Sequence, residues 1–423
     1  MIQGVGGINT VREALGSRNN KRLKILFFHN TLPEYRIGWF QKLSELADVE
    51  FVFTNKELNK KNYGFDIEYE RIKGLKYTFL SGGQKGIHQL KSILANVSGF
   101  DFVELPPMDS FYDIVCGMHI VRECKKNYVK IGYFWEKWDA PKAVQPIKRR
   151  IKNLILRIIP KVIYKHSNVI FAVGKKSKEY FISNGIDEKK IAVIHDVSET
   201  PPCEHFDIKK RYDIPFDKNI IMYLGRVMPQ KGVRCLIDAF CGMEEQSRRS
   251  CHLLIAGDGK ELGKCKKIVR KCGIENITFT GAVEPGKRGN YFSQCDIFVY
   301  PVTYHRGWVD VWGLTLNEAV QHGKIVIATD AVGSAFELIK EGINGYRVKP
   351  GNVQEMREAL QKALDPRVAQ NAIEKNRELI KIFNFRNMAK QYIYSVQRLL
   401  KKGEEEGKDD QNESRLKGVS CSR

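Results

Sequence analysis

Strands alternating with helices predict an α/β chain made of two Rossmann-like, doubly wound domains facing a central cleft. Two observations carry this reading. At 423 residues the chain exceeds what one hydrophobic core holds, so two domains are expected. Its apolar runs are also short, end in turn residues, and are followed by apolar positions at helical spacing.

In the first half, residues 23–29, 51–54, 100–105, 129–135 and 191–194 read as strands. The first is left through Asn30-Thr31-Leu32-Pro33 into a helix reaching Ala47. Gly82-Gly83 reads as a flexible turn. The domain boundary is expected at 198–202, where Glu199-Thr200-Pro201-Pro202 follows a strand. In the second half, residues 219–224, 252–256, 277–280 and 295–300 read as strands, each ending in Gly or Pro.

The first of these runs into Gly225-Arg226-Val227-Met228-Pro229-Gln230-Lys231-Gly232. A loop at the carboxyl end of a parallel strand lies where open α/β sheets bind ligands. Arg226 brings a planar fork for phosphate oxygens and Lys231 a mobile point charge, the pairing suited to holding a diphosphate while charge builds on it. Two solvated surface cations are the competing reading. The next strand runs into Gly257-Asp258-Gly259, followed by a lysine-rich helix over about 261–272. Such a turn lets a ligand approach backbone amides at a helix start.

Further on, Asp310 lies in a loop and Glu318 eight residues later, the latter at the expected start of a helix reaching about His322. A helix start offers free N–H groups to phosphate, and a carboxylate there can accept hydrogen bonds from ribose hydroxyls. A first-turn glutamate that only complements the helix dipole is the alternative.

The order Gly225-Arg226, Lys231-Gly232, Gly257-Asp258-Gly259, Asp310 with Glu318, then Gly333 and Glu337 resembles the retaining glycosyltransferases of family 4, of GT-B fold. The resemblance covers roughly residues 215–350, and the first half shares only its layout. The family's signature is a glutamate, seven residues, then a glutamate. Here Asp310 stands in the first place, its carboxylate drawn back by about 1.5 Å. The resemblance implies that Arg226 and Lys231 bind the donor diphosphate and that Glu318 binds its ribose. It further implies that Asp310 contacts the transferred sugar and that the backbone of Gly313, Leu314 and Thr315 cradles the distal phosphate. Gly225, Gly257 and Asp258 complete that donor set. No metal or other cofactor is then needed, in keeping with a sequence that has no Asp-X-Asp triplet.

Many relatives place a histidine after a later strand of the first domain. This chain has Tyr133-Phe134-Trp135-Glu136-Lys137 there, making Glu136 the candidate base or electrostatic stabiliser of the oxocarbenium ion. A solvated acid beside Lys137 is the other reading. His29 and Arg36 are candidates for the acceptor pocket, although a helix cap and a surface arginine explain them as well.

From residue 142 to 165 there are eight Lys or Arg and no acid, with Ile147, Ile151, Leu154, Ile155, Ile158 and Val162 on one helical face. Such a helix can lie on an anionic bilayer through Lys148, Arg149, Arg150, Lys152 and Arg157, each cation contributing on the order of 1 kcal/mol. A core helix with a solvated basic face competes with this. The chain carries 70 Lys and Arg against 49 Asp and Glu, a formal charge of +21, so its partners are expected to be anionic. No aromatic-basic repeat points to nucleic acid. No apolar run spans a bilayer and no signal peptide is legible, so a cytoplasmic, peripheral protein with reduced thiols is expected.

The domain plan is an extension over 1–22, an acceptor-side domain over 23–198 and a donor-binding domain over 199–383. A helix over 384–402 then crosses back to the first domain, as in the family, before a charged disordered tail over 403–423. The expected function is retaining, metal-independent transfer of a sugar from a nucleotide-diphosphate sugar, UDP being the family's commoner case, to a polysaccharide or lipid-linked glycan. The alternatives are a nucleotide-sugar epimerase of the same fold and a degenerate, membrane-associated nucleotide-binding protein.

Overall fold

A computed structural model describes residues 22–55, 72–108, 110–148, 163–202 and 204–419, with the backbone alone described beyond 402. Seven parallel strands form the first sheet: β1 Lys24–His29, β2 Asp48–Phe53, β3 Lys76–Phe79, β4 Phe102–Leu105, β5 Lys130–Trp135, β6 Val169–Val173 and β7 Ile191–Ile194. Their spatial order is β3-β2-β1-β4-β5-β6-β7. Six more form the second: β8 Asn219–Leu224, β9 Cys251–Ala256, β10 Ile277–Gly281, β11 Ile297–Tyr300, β12 Ile325–Thr329 and β13 Gly345–Val348, in the order β10-β9-β8-β11-β12-β13.

In each sheet the chain winds outward from its first strand, then returns to that strand's other side. The direction reverses between β1 and β4, and again between β8 and β11. A reversal of this kind opens a crevice at the carboxyl ends of the two strands, because the flanking loops leave in opposite directions. At the second crevice β8 ends in Leu224 and β11 in Tyr300, with Ile297 opposite Ile221 and Phe298 opposite Met222.

The helices used below are α1 Ile37–Leu46, α2 Gly83–Leu94, α3 Phe111–Lys126, α4 Gly174–Ser183, α5 Val233–Cys241, α6 Leu262–Cys272, α7 Leu314–Gln321, α8 Ala335–Leu338 and α9 Phe385–Val419. The Gly82-Gly83 pair is no free turn. Gly82 caps α2 and Gly83 is its first residue. The helix expected to start near Glu318 starts at Leu314, because the break in helical geometry is Gly313, at φ +88°.

Helix α9 leaves the second domain and packs against α1 of the first. The Phe385 ring fills the space a side chain at residue 38 would need, since a Cβ on Gly38 would lie 2.4 Å from it. Further along, Tyr392 sits among Phe27, Trp39, Phe102 and Phe171. Its hydroxyl donates to the buried Glu104 on β4 at 2.8 Å, and the other Glu104 oxygen accepts from the Phe134 N–H. The helix continues to Val419, beyond residue 402, where the sequence places the start of a disordered tail. The four glutamates of this run, with Lys408, Arg415, Leu416 and Lys417, are favourable helix formers even without an apolar face. All eight cysteines among the described residues are free.

The expected amphipathic helix from residue 142 is only partly described. Residues 142–144 form a 3-10 turn, residues 147 and 148 begin a helix with Lys148 exposed, and Ile163 and Tyr164 are buried at its far end. Arg149, Arg150, Lys152 and Arg157 lie outside the described residues. No helix among those described is long and apolar enough to cross a membrane.

Burial raises the Glu104 carboxyl to about 8, against which the Tyr392 and Phe134 hydrogen bonds act. The folded state therefore holds a proton on Glu104 between about pH 4.5 and 8 that the unfolded chain releases. Its contribution to stability is fully present below that window and is lost as pH rises through it, by up to about 1.4 kcal/mol per pH unit. The Glu104→Gln variant, which accepts the same amide hydrogen bond and cannot ionise, should flatten this slope in urea unfolding between pH 5 and 8.

Candidate functional site

The loops after β8 and β9 are zipped together at the second crevice. The Gly225 N–H donates to Ala256 O, Val227 N–H to Asp258 O and Glu261 N–H to Val227 O. A Cβ on Gly257 would fall 1.9 Å from the Gly225 carbonyl oxygen, so only glycine lets the two backbones approach. Asp258 closes this turn by accepting from the Gly259 N–H at 2.6 Å. Below the loop, the Tyr223 hydroxyl donates to Arg226 O at 2.7 Å. The Arg226 side chain is exposed and makes no ion pair among the described residues.

A 3-10 turn over Pro229–Lys231 ends in Gly232 at φ +70°, where a Cβ would strike the Pro301 carbonyl. This close approach carries Lys231 beneath the loop that follows β11. Its ammonium lies 2.6 Å from Asp310 Oδ2, donates to the Tyr300 hydroxyl oxygen, and faces the Trp308 ring 4.8 Å away. The Tyr300 O–H donates in turn to Asp310 Oδ2. Thus two residues given separate tasks by the sequence, Lys231 for diphosphate and Asp310 for sugar, form one buried ion pair.

After Asp310 the chain reaches Gly313 and enters α7, whose first residues Leu314 and Thr315 stand at the helix's N-terminal end. Glu318 is in the second turn and completely buried. Its Oε1 accepts from Ser198 Oγ at 2.5 Å and lies 3.2 Å from Arg288, while Oε2 has no hydrogen-bond partner. Burial raises this carboxyl above its ordinary range, with Arg288 and Ser198 opposing. A buried carboxylate oxygen left unpaired is costly, and donors such as ribose hydroxyls would satisfy it.

On the first domain, Arg36 is a buried residue rather than a surface arginine. Its guanidinium pairs with Glu136 and, at 3.1 Å, with Asp196, and it lies against the Phe134 ring. Burial alone would lower its pKa, but Asp196 and then Glu136 hold it charged. Asp196 is pushed up to about 7 by burial, with Glu136 and Asp310 adding to that and Arg36 opposing. His29 is buried, bonds through Nδ1 to the Thr31 carbonyl, and is driven down to about 3 by burial and then Arg36, so it is neutral. It is a structural histidine at the end of β1 rather than one offered to an acceptor. Glu136, with its side chain 37% exposed, is the member of this cluster open to a ligand.

Several contacts join the domains at this cleft. Trp138 Nε1 donates to the Asp310 carbonyl at 3.4 Å, and Ser198 N–H donates to Asn317 Oδ1 at 3.0 Å. Glu337 on α8 accepts from the Lys175 N–H at the start of α4 and meets His195 Nε2, both at 2.7 Å. Sequence reasoning assigns no role to Tyr300, Arg288, Asp196 or Ser198. Tyr300 alone carried a local signal, a polar-tipped aromatic ending an apolar strand at the crevice.

Two doubly wound domains, each with a crevice at the carboxyl ends of its strands, define the class, a two-domain α/β fold of GT-B type. Residues 204–381 match the model of the family "Glycosyl transferases group 1". That match falls on the second domain and spans less than half of the chain. An uncharacterised glycosyltransferase of Methanocaldococcus jannaschii is 24% identical over 60% of this chain and 64% of its own length. An alpha-D-kanosaminyltransferase of Streptomyces kanamyceticus is 28% identical over 39% of this chain and 42% of its own. These curated relatives are thus spanned over less than two thirds of their length. Among solved structures, the Anabaena protein HepE in complex with UDP superposes with a TM-score of 0.67 at 17% identity, over 89% of this chain and 100% of that one.

The Glu337→Ala variant would leave the Lys175 N–H and the His195 ring without their acceptor across the domain interface. A loss of about 1–3 kcal/mol in denaturant unfolding is expected, the cost of a stranded, largely buried hydrogen-bonding group.

Proposed function

We propose that the chain is a retaining glycosyltransferase that needs no metal ion and moves a sugar from a nucleotide-diphosphate sugar, UDP-linked, to a polysaccharide or lipid-linked glycan. One observation carries this: cationic groups, a helix N-terminus and a buried carboxylate with an unpaired oxygen converge at one crevice. Lys231, Arg226 and the α7 amides would take the charge that grows on the leaving diphosphate. Glu318 Oε2 would accept from the ribose, and Asp310 Oδ1 from a hydroxyl of the transferred sugar.

In the transfer the bond from the anomeric carbon to the phosphate oxygen breaks, and its electron pair stays on the diphosphate. The acceptor oxygen bonds to the anomeric carbon from the same face. Its proton passes to the departing phosphate oxygen, so configuration is kept. Glu136, held by Arg36 at the cleft wall, would stabilise positive charge on the sugar ring. The UDP assignment draws on the family's habit and on the ligand named for HepE.

A peripheral place on the cytoplasmic face of an anionic membrane belongs to the same proposal. On α3, Phe111 and Met118 stand 82% and 67% exposed on one face, and Arg122 and Lys125 continue it. Tyr128, just past the helix, is also almost fully exposed. Apolar side chains beside cations suit a lipid surface.

Two measurements check these statements. UDP, GDP and ADP are each added without metal in a thermal shift assay. One of them should raise the midpoint in proportion to RT ln(1 + [L]/Kd), and Lys231→Ala should weaken it by about 1.5–3 kcal/mol. No shift with any diphosphate would overturn the donor site. Separately, Phe111→Asp with Met118→Asp should release the protein from phosphatidylserine vesicles while UDP binding stays; retained sedimentation with vesicles would sink the membrane face.

A further inference from the structure

Tyr300 lies outside every role discussed so far, yet it closes a triangle with the two residues at the centre of the crevice. Its O–H donates to Asp310 Oδ2, its oxygen accepts from Lys231 Nζ, and Lys231 also donates to Asp310 Oδ2 at 2.6 Å. The Lys231 ammonium sits 4.9 Å from the Tyr300 ring centroid and 4.8 Å from that of Trp308, so two aromatic faces hold it from the sides. Tyr300 is buried as the last residue of β11, and Lys231 and Asp310 are themselves only 10% and 18% exposed in their side chains.

The arithmetic of donors and acceptors is informative. An ammonium has three N–H bonds. One goes to Asp310 and one to Tyr300, so a single N–H remains for an incoming anion. On Asp310, Oδ2 receives both bonds, which leaves Oδ1 for a ligand. Without the phenol, Lys231 would be the only donor of this triangle on the Asp310 carboxylate, and the two would close into a tighter pair. A hydrogen bond from Tyr300 draws off part of that carboxylate's charge, so Lys231 is shared rather than captured. Burial, and then the Asp310 charge, raises the phenol far above its ordinary range, so the hydroxyl stays a donor throughout the working pH range.

We infer that Tyr300 is a positioning residue: it keeps Lys231 and Asp310 in a loosened, shared contact, with one N–H free for the diphosphate and one carboxylate oxygen free for the sugar. This rests on the donor site proposed above.

The test is calorimetric binding of UDP, with inorganic pyrophosphate as a base-independent probe, to wild type, Tyr300→Phe, Asp310→Asn and the double variant. Tyr300→Phe keeps the ring and should weaken both probes about 3- to 10-fold. Asp310→Asn, by freeing Lys231, should tighten them. In the Asp310→Asn background Tyr300→Phe should have no further effect. The same loss in both backgrounds would make the phenol merely structural and overturn the inference, as would an unchanged affinity in the single variant. Lys231→Ala separates the two levels: if it binds both probes as wild type does, the donor site itself is wrong, whereas its loss of binding beside a neutral Tyr300→Phe removes only the role of Tyr300.

Discussion

A lysine placed at the carboxyl edge of a parallel sheet to meet a phosphate must have a counter-charge before the phosphate arrives. Desolvating an unpaired ammonium costs far more than one hydrogen bond returns. Asp310 supplies that charge across the crevice between β8 and β11, and much of the surrounding geometry serves to bring the two together. Gly232 lets the Lys231 turn pass under the Pro301 carbonyl, and the zipped loops at Gly225 and Gly257 bring backbone close to the same spot. Tyr300 then sets how firmly the pair closes.

The same economy recurs on the opposite wall of the cleft. Arg36 is buried between two carboxylates, one of them, Asp196, raised to about 7 by burial and by its acidic neighbours. Near neutrality the cluster of Arg36, Glu136 and Asp196 therefore carries a charge between zero and minus one. It faces a second domain whose crevice carries Lys231 and Arg288. The two walls of the cleft therefore differ in their electrostatics, the acidic cluster lying on the first domain.

Local signals were read well where the chemistry is written in adjacent residues. Lys231-Gly232 needs a left-handed glycine after a tight turn, and such a pair is visible in the chain. The sequence puts Glu318 at a helix start, whereas the helix begins four residues earlier, at Leu314, with Gly313 as its cap. The edge strand β3 escaped notice because Lys76-Tyr77-Thr78-Phe79 is half polar and mostly exposed. Arg36, Glu136 and Asp196 could not be assembled beforehand. They are separated by 100 and 60 residues, and only the strand order brings β1, β5 and β7 to one edge. Val169–Val173, Ile325–Thr329 and Gly345–Val348 also fall outside the strands expected from the sequence, so local patterning is legible only in part, and which strands lie side by side is not legible from it.

The course of α9 has a consequence for how this protein could be recombined with its relatives. Phe385 occupies the space over Gly38, and Tyr392 holds the buried Glu104, so the last long helix belongs physically to the first domain while its sequence follows the second. A chimera that exchanged the first domain by cutting once, near residue 200, would pair a foreign α1 and β4 with a native α9. It would set a new side chain against the Phe385 ring or strand a carboxylate in the aromatic cluster. The first domain in this architecture is thus inherited as two separated segments of chain, and they have to travel together.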